Sequence, residues 1–444
     1  MSTQTAQSPP GAGQRTRSCA TGVACHRCEK HYPLEDTVFA CPGCGKGLDV
    51  VYDYELAARH FKEVPSSERP QNIWHFEELL PIVDASAQAR VGLHSGYTPL
   101  IRADRLGAEL GLSNLYLKDD STSRPSLSYK DRVVSMSVAR LLERGKTEIG
   151  CVSTGNVGTA VASMAAAAGV DAYVFYPNRL EDMKARACMA LGAKVCQVEG
   201  NYDEANRRCR EVAETTGMDF ANITLRPFYA EGAKTAAFEI VEQLDWRSPD
   251  HIITAAAGGT LSSRLHKGLL ELQHLGLSET DPTRIHIAQP SGCNPIATAI
   301  IAEEAEVRPV TPETAAHSLA IGAPGDGYLV IDAVLKRGGT GGFASDPEIF
   351  AGIDLLAATE GLLTEPAGGT TVAVLEKLAA AGRFAPDDTV VAIITGNGLK
   401  TLDDHPPKPW PAKVDCELDA MLAALSELKS GGSLVDSARE QLHA

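Results

Sequence analysis

From Leu115 onward the chain alternates short β-prone runs with helical patterns, and few architectures accommodate that rhythm. Leu115-Tyr116-Leu117-Lys118 and Ile149-Gly150-Cys151-Val152 read as strands, the second followed by an Ala-rich helix over Val157 to Ala168. Strand Ala172 to Tyr176, helix Glu181 to Leu191, strand Lys194 to Val198 and helix Tyr202 to Thr216 continue the series. Parallel strands need long crossovers and helices supply them, so the sequence predicts an α/β fold, with parallel sheets covered by helices on both faces. A second series follows: helix Glu231 to Leu244, strands His251 to Thr254 and Ile285 to Ala288, helix Thr371 to Ala381, and the buried strand Thr389 to Ile394. Pro406 to Pro411 reads as a stiff extended segment, and Glu417 to Lys429 as an amphipathic helix.

At 444 residues the chain has room for two to three domains of roughly 150 residues. With 44% hydrophobic and 22% charged residues it is globular and not disordered. The net charge of −16 repels phosphate backbones and anionic lipid, which argues against nucleic-acid and membrane partners. No apolar run reaches the length of about 18 residues that a spanning helix needs. The polar first 20 residues, lacking an apolar core, are expected to be a disordered tail and not a secretory signal, which points to a cytoplasmic protein.

Eleven cysteines in so long a chain are no disulfide framework, but four of them form a pattern. Cys25 and Cys28 make one Cys-x-x-Cys knuckle and Cys41 and Cys44 a second, twelve residues later. Four thiolates at this spacing predict a closed tetrahedral zinc site, hence a structural metal in a small ribbon over residues 21–50. Cys19, His26 and His31 read as bystanders.

Four segments stand at the ends of predicted strands or the mouths of helices, where open α/β folds bind ligands. Lys130, in Ser128-Tyr129-Lys130-Asp131-Arg132, opens a helical pattern. The helix dipole disfavours a cation there, which suits an amine that must lose its proton, although a solvated lysine would look the same. Ser153-Thr154-Gly155-Asn156 follows a strand and opens a helix, as either a carboxylate site or an ordinary N-cap. Ala256-Ala257-Gly258-Gly259-Thr260 has side chains small enough for backbone amides to close around a phosphate. Thr395-Gly396-Asn397-Gly398 ends the late strand, where a threonine hydroxyl could meet a ring nitrogen or simply make a turn.

These four segments, in this order, resemble the threonine synthase branch of the fold-type II pyridoxal phosphate enzymes. Phe228 to Thr235, Ser318 to Gly322 and Glu365 to Gly369 resemble it as well, so the likeness runs from about residue 24 to about 405. The resemblance implies a tryptophan synthase β-like pair of parallel-sheet domains behind the ribbon. Residues 51–124 and 221–444 would form the large cofactor domain, and 125–220 the small one. It implies Lys130 as the Schiff-base lysine and Asn156 on the cofactor's 3′-oxygen. Ala256, Ala257, Gly258, Gly259 and Thr260 would cradle the cofactor phosphate, and Thr395 would face the pyridine nitrogen. Ser153, Thr154 and Gly155 would hold the substrate carboxylate.

The implied reaction takes O-phospho-L-homoserine and water to L-threonine and phosphate. Arg226 and Lys234 are candidates for the leaving phosphate, with Arg124 as a third. The chain departs from the branch pattern at Arg124-Pro125-Ser126-Leu127-Ser128-Tyr129, where the branch has Asn-Pro-Thr, then Gly or His, then Ser-Phe. Asn397 also stands where His or Asp is commoner. Leu127 and Arg124 open an alternative, a paralogue performing β-replacement on O-phosphoserine or a related activated serine. A silent binding protein is disfavoured, because it would have no need of an amine at Lys130. The resemblance leaves the assembly open, a homodimer being one option.

Overall fold

The computed structural model describes residues 14–35, 40–153, 155–177, 182–278, 283–406, 413–430 and 433–443. Three sheets organise the chain. The first is a small antiparallel sheet of β1 (Ala20–Cys25), β2 (His31–Tyr32) and β3 (Leu48–Tyr52), with β1 at its centre.

The second and third sheets interleave in sequence. Strands β4 (Leu100–Arg102) and β5 (Asn114–Asp119) come first, then β6 (Glu148–Val152), β7 (Asp171–Pro177), β8 (Lys194–Val198) and β9 (Asp219–Phe220). The last four form a parallel sheet in the order β8-β7-β6-β9. The chain then returns through β10 (His251–Ala255), β11 (Arg284–Pro290), β12 (Gly341–Ala344) and β13 (Thr389–Ile394). These join the earlier pair in a six-stranded sheet, β12-β11-β10-β13-β5-β4, parallel except for β4 against β5. Strands covered on both faces read as continuous apolar runs. β13 does: every residue from Val390 to Ile394 is buried.

Local chemistry sets the crossover helices. Helix Tyr202–Thr216 starts at Asn201, whose side chain accepts from Glu204 N while the Glu204 carboxylate accepts from Asn201 N. It stops at Gly217, which takes the left-handed φ of 70° that a side chain would resist. Its buried residues Ala205, Cys209 and Ala213 recur every four positions, so one narrow stripe meets the sheet.

Helix Lys130–Glu143 is pinned from its first turn by a buried ion cluster. The fully buried Arg132 donates from Nε and Nη2 to Asp120 at 2.8 and 2.7 Å, from Nη2 to Glu239 at 2.8 Å and from Nη1 to Thr235 Oγ1 at 2.8 Å. Lys118 completes it, 2.7 Å from Glu239. Burial opposes the Glu239 charge, yet Arg132 and Lys118 hold its carboxyl down at about 2. Two cations and two carboxylates balance, which is the condition for tolerating charge this deep.

One expectation needs correction. Residues 14–20 are not a disordered tail: Thr16 N donates to Val83 O at 3.1 Å, Cys19 N to Glu78 O at 2.9 Å, and Gln14 O accepts from Ala85 N at 2.9 Å. The segment finds backbone partners along residues 78–85, and composition carries no sign of that. Residues 1–13 and most of the proline-rich segment lie outside the described residues. The C-terminal helix is present at Leu418–Ser430, and a further helix, Leu434–His443, buries Ala438 and Leu442.

Replacing Arg132 with Met should cost about 3–5 kcal/mol, because it leaves two carboxylates sharing one lysine. Denaturant melts of Arg132→Met against wild type read this. A midpoint unchanged by the substitution would mean that the cluster does not anchor the helix.

Candidate active site

A cavity of about 270 Å³ collects residues from every one of the three sheets. Lys130 enters it as the first residue of its helix, and Nζ donates a hydrogen bond to Tyr129 Oη. The loop before it is built by the same motif. Asp131, fully buried, accepts from Ser126 N through both oxygens at 3.1 and 3.0 Å, and burial pushes its carboxyl up to about 7. A second strap comes from the end of β13. Tyr129 N donates to Thr395 O at 2.9 Å, and Asn397 N to Leu127 O at 3.1 Å.

Thr395 itself is 3% exposed and lies behind Tyr129, outside the cavity lining, and among the described residues its Oγ1 has no hydrogen-bond partner. An open hydroxyl beside the loop that carries Lys130 is free to bond a bound group. In the cavity wall, Ala255 to Thr260 lead from β10 into helix Thr260–His274. The first amides of a helix have no intrahelical acceptor, and here they open on the cavity. Gly259 takes φ 94°, and a Cβ there would stand 2.8 Å from Val330 Cγ2, so the tight turn into the helix admits no side chain.

Ser153 and Asn156 line the cavity, and Gly155 lies between them at φ 135°. Ser153 Oγ accepts from Gly155 N and Gly158 N at 2.9 and 2.8 Å, so its hydroxyl serves as the helix cap. Asn156 Nδ2 donates to both Glu365 oxygens at 2.9 Å, and its Oδ1 accepts from Lys400 Nζ at 2.9 Å. Thr154 lies outside the described residues. Arg226 lines the cavity beside the glycine loop, donating to Thr260 Oγ1 at 2.9 Å and pairing with Asp326.

Lys234 does not reach the cavity. Its side chain is fully buried between Glu231 and Glu271, at 2.6 and 2.7 Å, on the face of its helix that meets the ribbon. Glu231 also accepts from Tyr52 Oη at 2.8 Å, so the lysine neutralises the joint between ribbon and body instead of a substrate phosphate. Arg124 is exposed, and neither it nor Leu127 is among the cavity residues.

Several residues of the site were not foreseen. Glu365 and Lys400 hold Asn156 from behind the cavity wall, and Arg210 of helix Tyr202–Thr216 and Arg264 bring further guanidinium groups to the cavity beside Arg226. The ribbon is part of the wall through His26, Gly47 and Leu48. His26, read as a bystander, sits edge-on to Tyr328 with ring centroids 6.4 Å apart. Gly47 leaves it room, since a Cβ there would lie 3.2 Å from His26 Cδ2. Beside it the sulfurs of Cys25, Cys28, Cys41 and Cys44 lie within 4.8 Å of one another, with pairs at 3.4, 3.5 and 3.8 Å. Cys19 and His31 are not in this cluster.

A lysine, a helix-mouth cradle of small residues and a buried hydroxyl without a partner fit pyridoxal phosphate, in its aldehyde, phosphate and ring nitrogen respectively. Comparison with known proteins agrees. Residues 91–396 match the family model described as pyridoxal-phosphate dependent enzyme. A threonine synthase of Methanocaldococcus jannaschii is 34% identical over 407 residues, 91% of this chain and 99% of that one. A threonine synthase of Mycobacterium tuberculosis is 35% identical over 340 residues, 75% of this chain and 89% of the other. Among solved structures, diaminopropionate ammonia lyase of Escherichia coli superposes with a TM-score of 0.61 at 18% identity, covering 86% of this chain and 95% of that one, which speaks to the fold alone. The chain belongs to the pyridoxal-phosphate dependent enzymes, of fold type II.

Proposed function

We propose that this enzyme converts O-phospho-L-homoserine and water to L-threonine and phosphate. The observation that carries the proposal is the end-to-end likeness to a threonine synthase in a chain whose cavity brings Lys130, the glycine cradle and Arg226 together. The domain division is kept as proposed from the sequence, with 125–220 as the small domain, residues 51–124 and 221–444 as the large one, and the cavity between them.

Pyridoxal phosphate supplies the electron sink that lets a proton leave carbon. The chain's own residues do the rest. Lys130 holds the cofactor until substrate arrives, and its freed amine then moves protons at Cα and Cβ. Thr395 would offer the ring nitrogen a neutral hydrogen bond, and Asn156 would meet the ring oxygen. The amides of Ala256 to Thr260 would hold the cofactor phosphate. The substrate carboxylate would fall to Ser153 and Gly155, with Thr154 assigned to it from the sequence alone, and the leaving phosphate to Arg226. Arg226 is the sole survivor of the proposed cations, since Lys234 is committed elsewhere and Arg124 is exposed. The β-replacement alternative rested on Leu127 and Arg124, of which Arg124 is exposed.

We further propose that the four cysteines hold one zinc ion. A tetrahedral thiolate site with zinc–sulfur bonds of about 2.3 Å places sulfurs about 3.8 Å apart, near the observed pairs. The setting is proposed to be the cytoplasm.

Single-turnover product analysis tests the reaction. Threonine and phosphate should appear from O-phosphohomoserine, whereas phosphate released only from O-phosphoserine would overturn the proposal in favour of β-replacement. Arg226→Ala should raise KM for the phosphorylated substrate at least about tenfold, with cofactor absorbance retained, as the loss of a charge-assisted contact implies. Unchanged kinetics would remove Arg226 from the site. Elemental analysis should find one zinc per chain, and Cys28→Ser should release it and lower the melting temperature. Full zinc retention by that variant would refute the four-thiolate site.

A further inference from the structure

The residue before Lys130 is a tyrosine where the branch that the sequence resembles has phenylalanine, so this chain adds one hydroxyl next to its reactive amine. Its place is tightly defined. Tyr129 N donates to Thr395 O at 2.9 Å and Tyr129 O accepts from Arg132 N at 3.0 Å, which ties the residue to the end of β13 and to the anchored helix. The ring lines the cavity, with Lys130 Nζ 4.2 Å from its centroid and bonded to its hydroxyl.

We propose that Tyr129 is a positioning residue for the Lys130 amine, its hydroxyl orienting the nitrogen lone pair toward the substrate through each proton transfer. The proposal deepens the reading given above and rests on Lys130 as the cofactor-bearing lysine. When the amine carries the extra proton, one N–H donates to Tyr129 Oη. When that proton has gone to substrate, one of the two remaining N–H bonds goes on donating to Tyr129 Oη, which leaves the vacated lone pair directed at the substrate. The phenol keeps its own proton throughout, no bond in it breaks, and charge is conserved.

The surroundings support this role. Burial holds the Tyr129 hydroxyl well above its ordinary value, Arg226 pulls it down, and Glu365, Asp326 and Asp120 push it up. Tyr229, which also lines the cavity, faces both Tyr129 and Lys130. A phenol that remains protonated at neutral pH can accept from the amine in either charge state but cannot compete as a base.

The test is Tyr129→Phe in the holoenzyme, which keeps the ring and its packing. The acid limb of the kcat profile should move to lower pH by about 0.5–1 unit, since the charged amine loses its acceptor. At the plateau, kcat should fall about tenfold with KM within about twofold, because an orienting contact and not a binding one is lost. The pH midpoint of the cofactor band near about 410 nm, a readout independent of turnover, should shift in the same direction. A band and a profile superimposable on wild type would overturn the proposal for Tyr129 alone. A wild-type chain that showed no such band would overturn the reading of Lys130 with it.

Discussion

Everything at the site hangs from the buried guanidinium of Arg132. It spends its donors on Asp120, Glu239, Thr98 and Thr235, groups drawn from three separate stretches of chain. An unpaired charge at zero exposure would be ruinous, so these partners are compulsory, and satisfying them fixes where helix Lys130–Glu143 begins. Lys130 is two residues away and inherits that position. Asp131 turns the preceding loop back on itself, and the loop's carbonyls are then held by Asn397 N and by Lys400 Nζ. The short run Lys-Asp-Arg therefore encodes the cavity lysine, the shape of its loop and its anchor in consecutive residues.

The second constraint is topological. β10 and β13 are neighbours in the large sheet, and β6 lies in the small one; each hands over at its C-terminal end to a loop that faces the cavity or the partnerless Thr395 hydroxyl. The ribbon closes another side. It is bolted to helix Thr260–His274 by Asp49, which lies 3.0 Å from Lys267 and pairs with Arg264, and by Tyr54 Oη on Glu271 at 3.2 Å. The glycine cradle opens that same helix, so ribbon and cradle are tied to one element. The cysteine-bearing ribbon thereby contributes wall residues, His26 among them, to the cavity.

Much of this was legible in the sequence wherever a local rule decides. Strand Lys194–Val198, helix Tyr202–Thr216 and strand Thr389–Ile394 fall where the apolar runs and the Asn201 cap place them. The knuckle spacing located the cysteine cluster for the same reason. What the sequence could not decide was facing. Lys234 and Arg226 lie eight residues apart around one helical segment, and only packing tells which one meets the cavity. Glu365 and Lys400 stand 209 and 244 residues from the Asn156 they hold, beyond any local pattern. Helix Leu434–His443 did carry a signal, since Val435, Ala438 and Leu442 stand at helical spacing, but it went unread.

The central claim is that Lys130, the cradle and the Thr395 hydroxyl hold one cofactor. Borohydride reduction of the purified enzyme followed by peptide mass mapping tests it most directly, because reduction fixes the cofactor to the lysine that bears it. The account predicts the added mass on the peptide containing Lys130 and on no other. A label on Lys184 or Lys400, both of which stand close by, or no label at all, would contradict it.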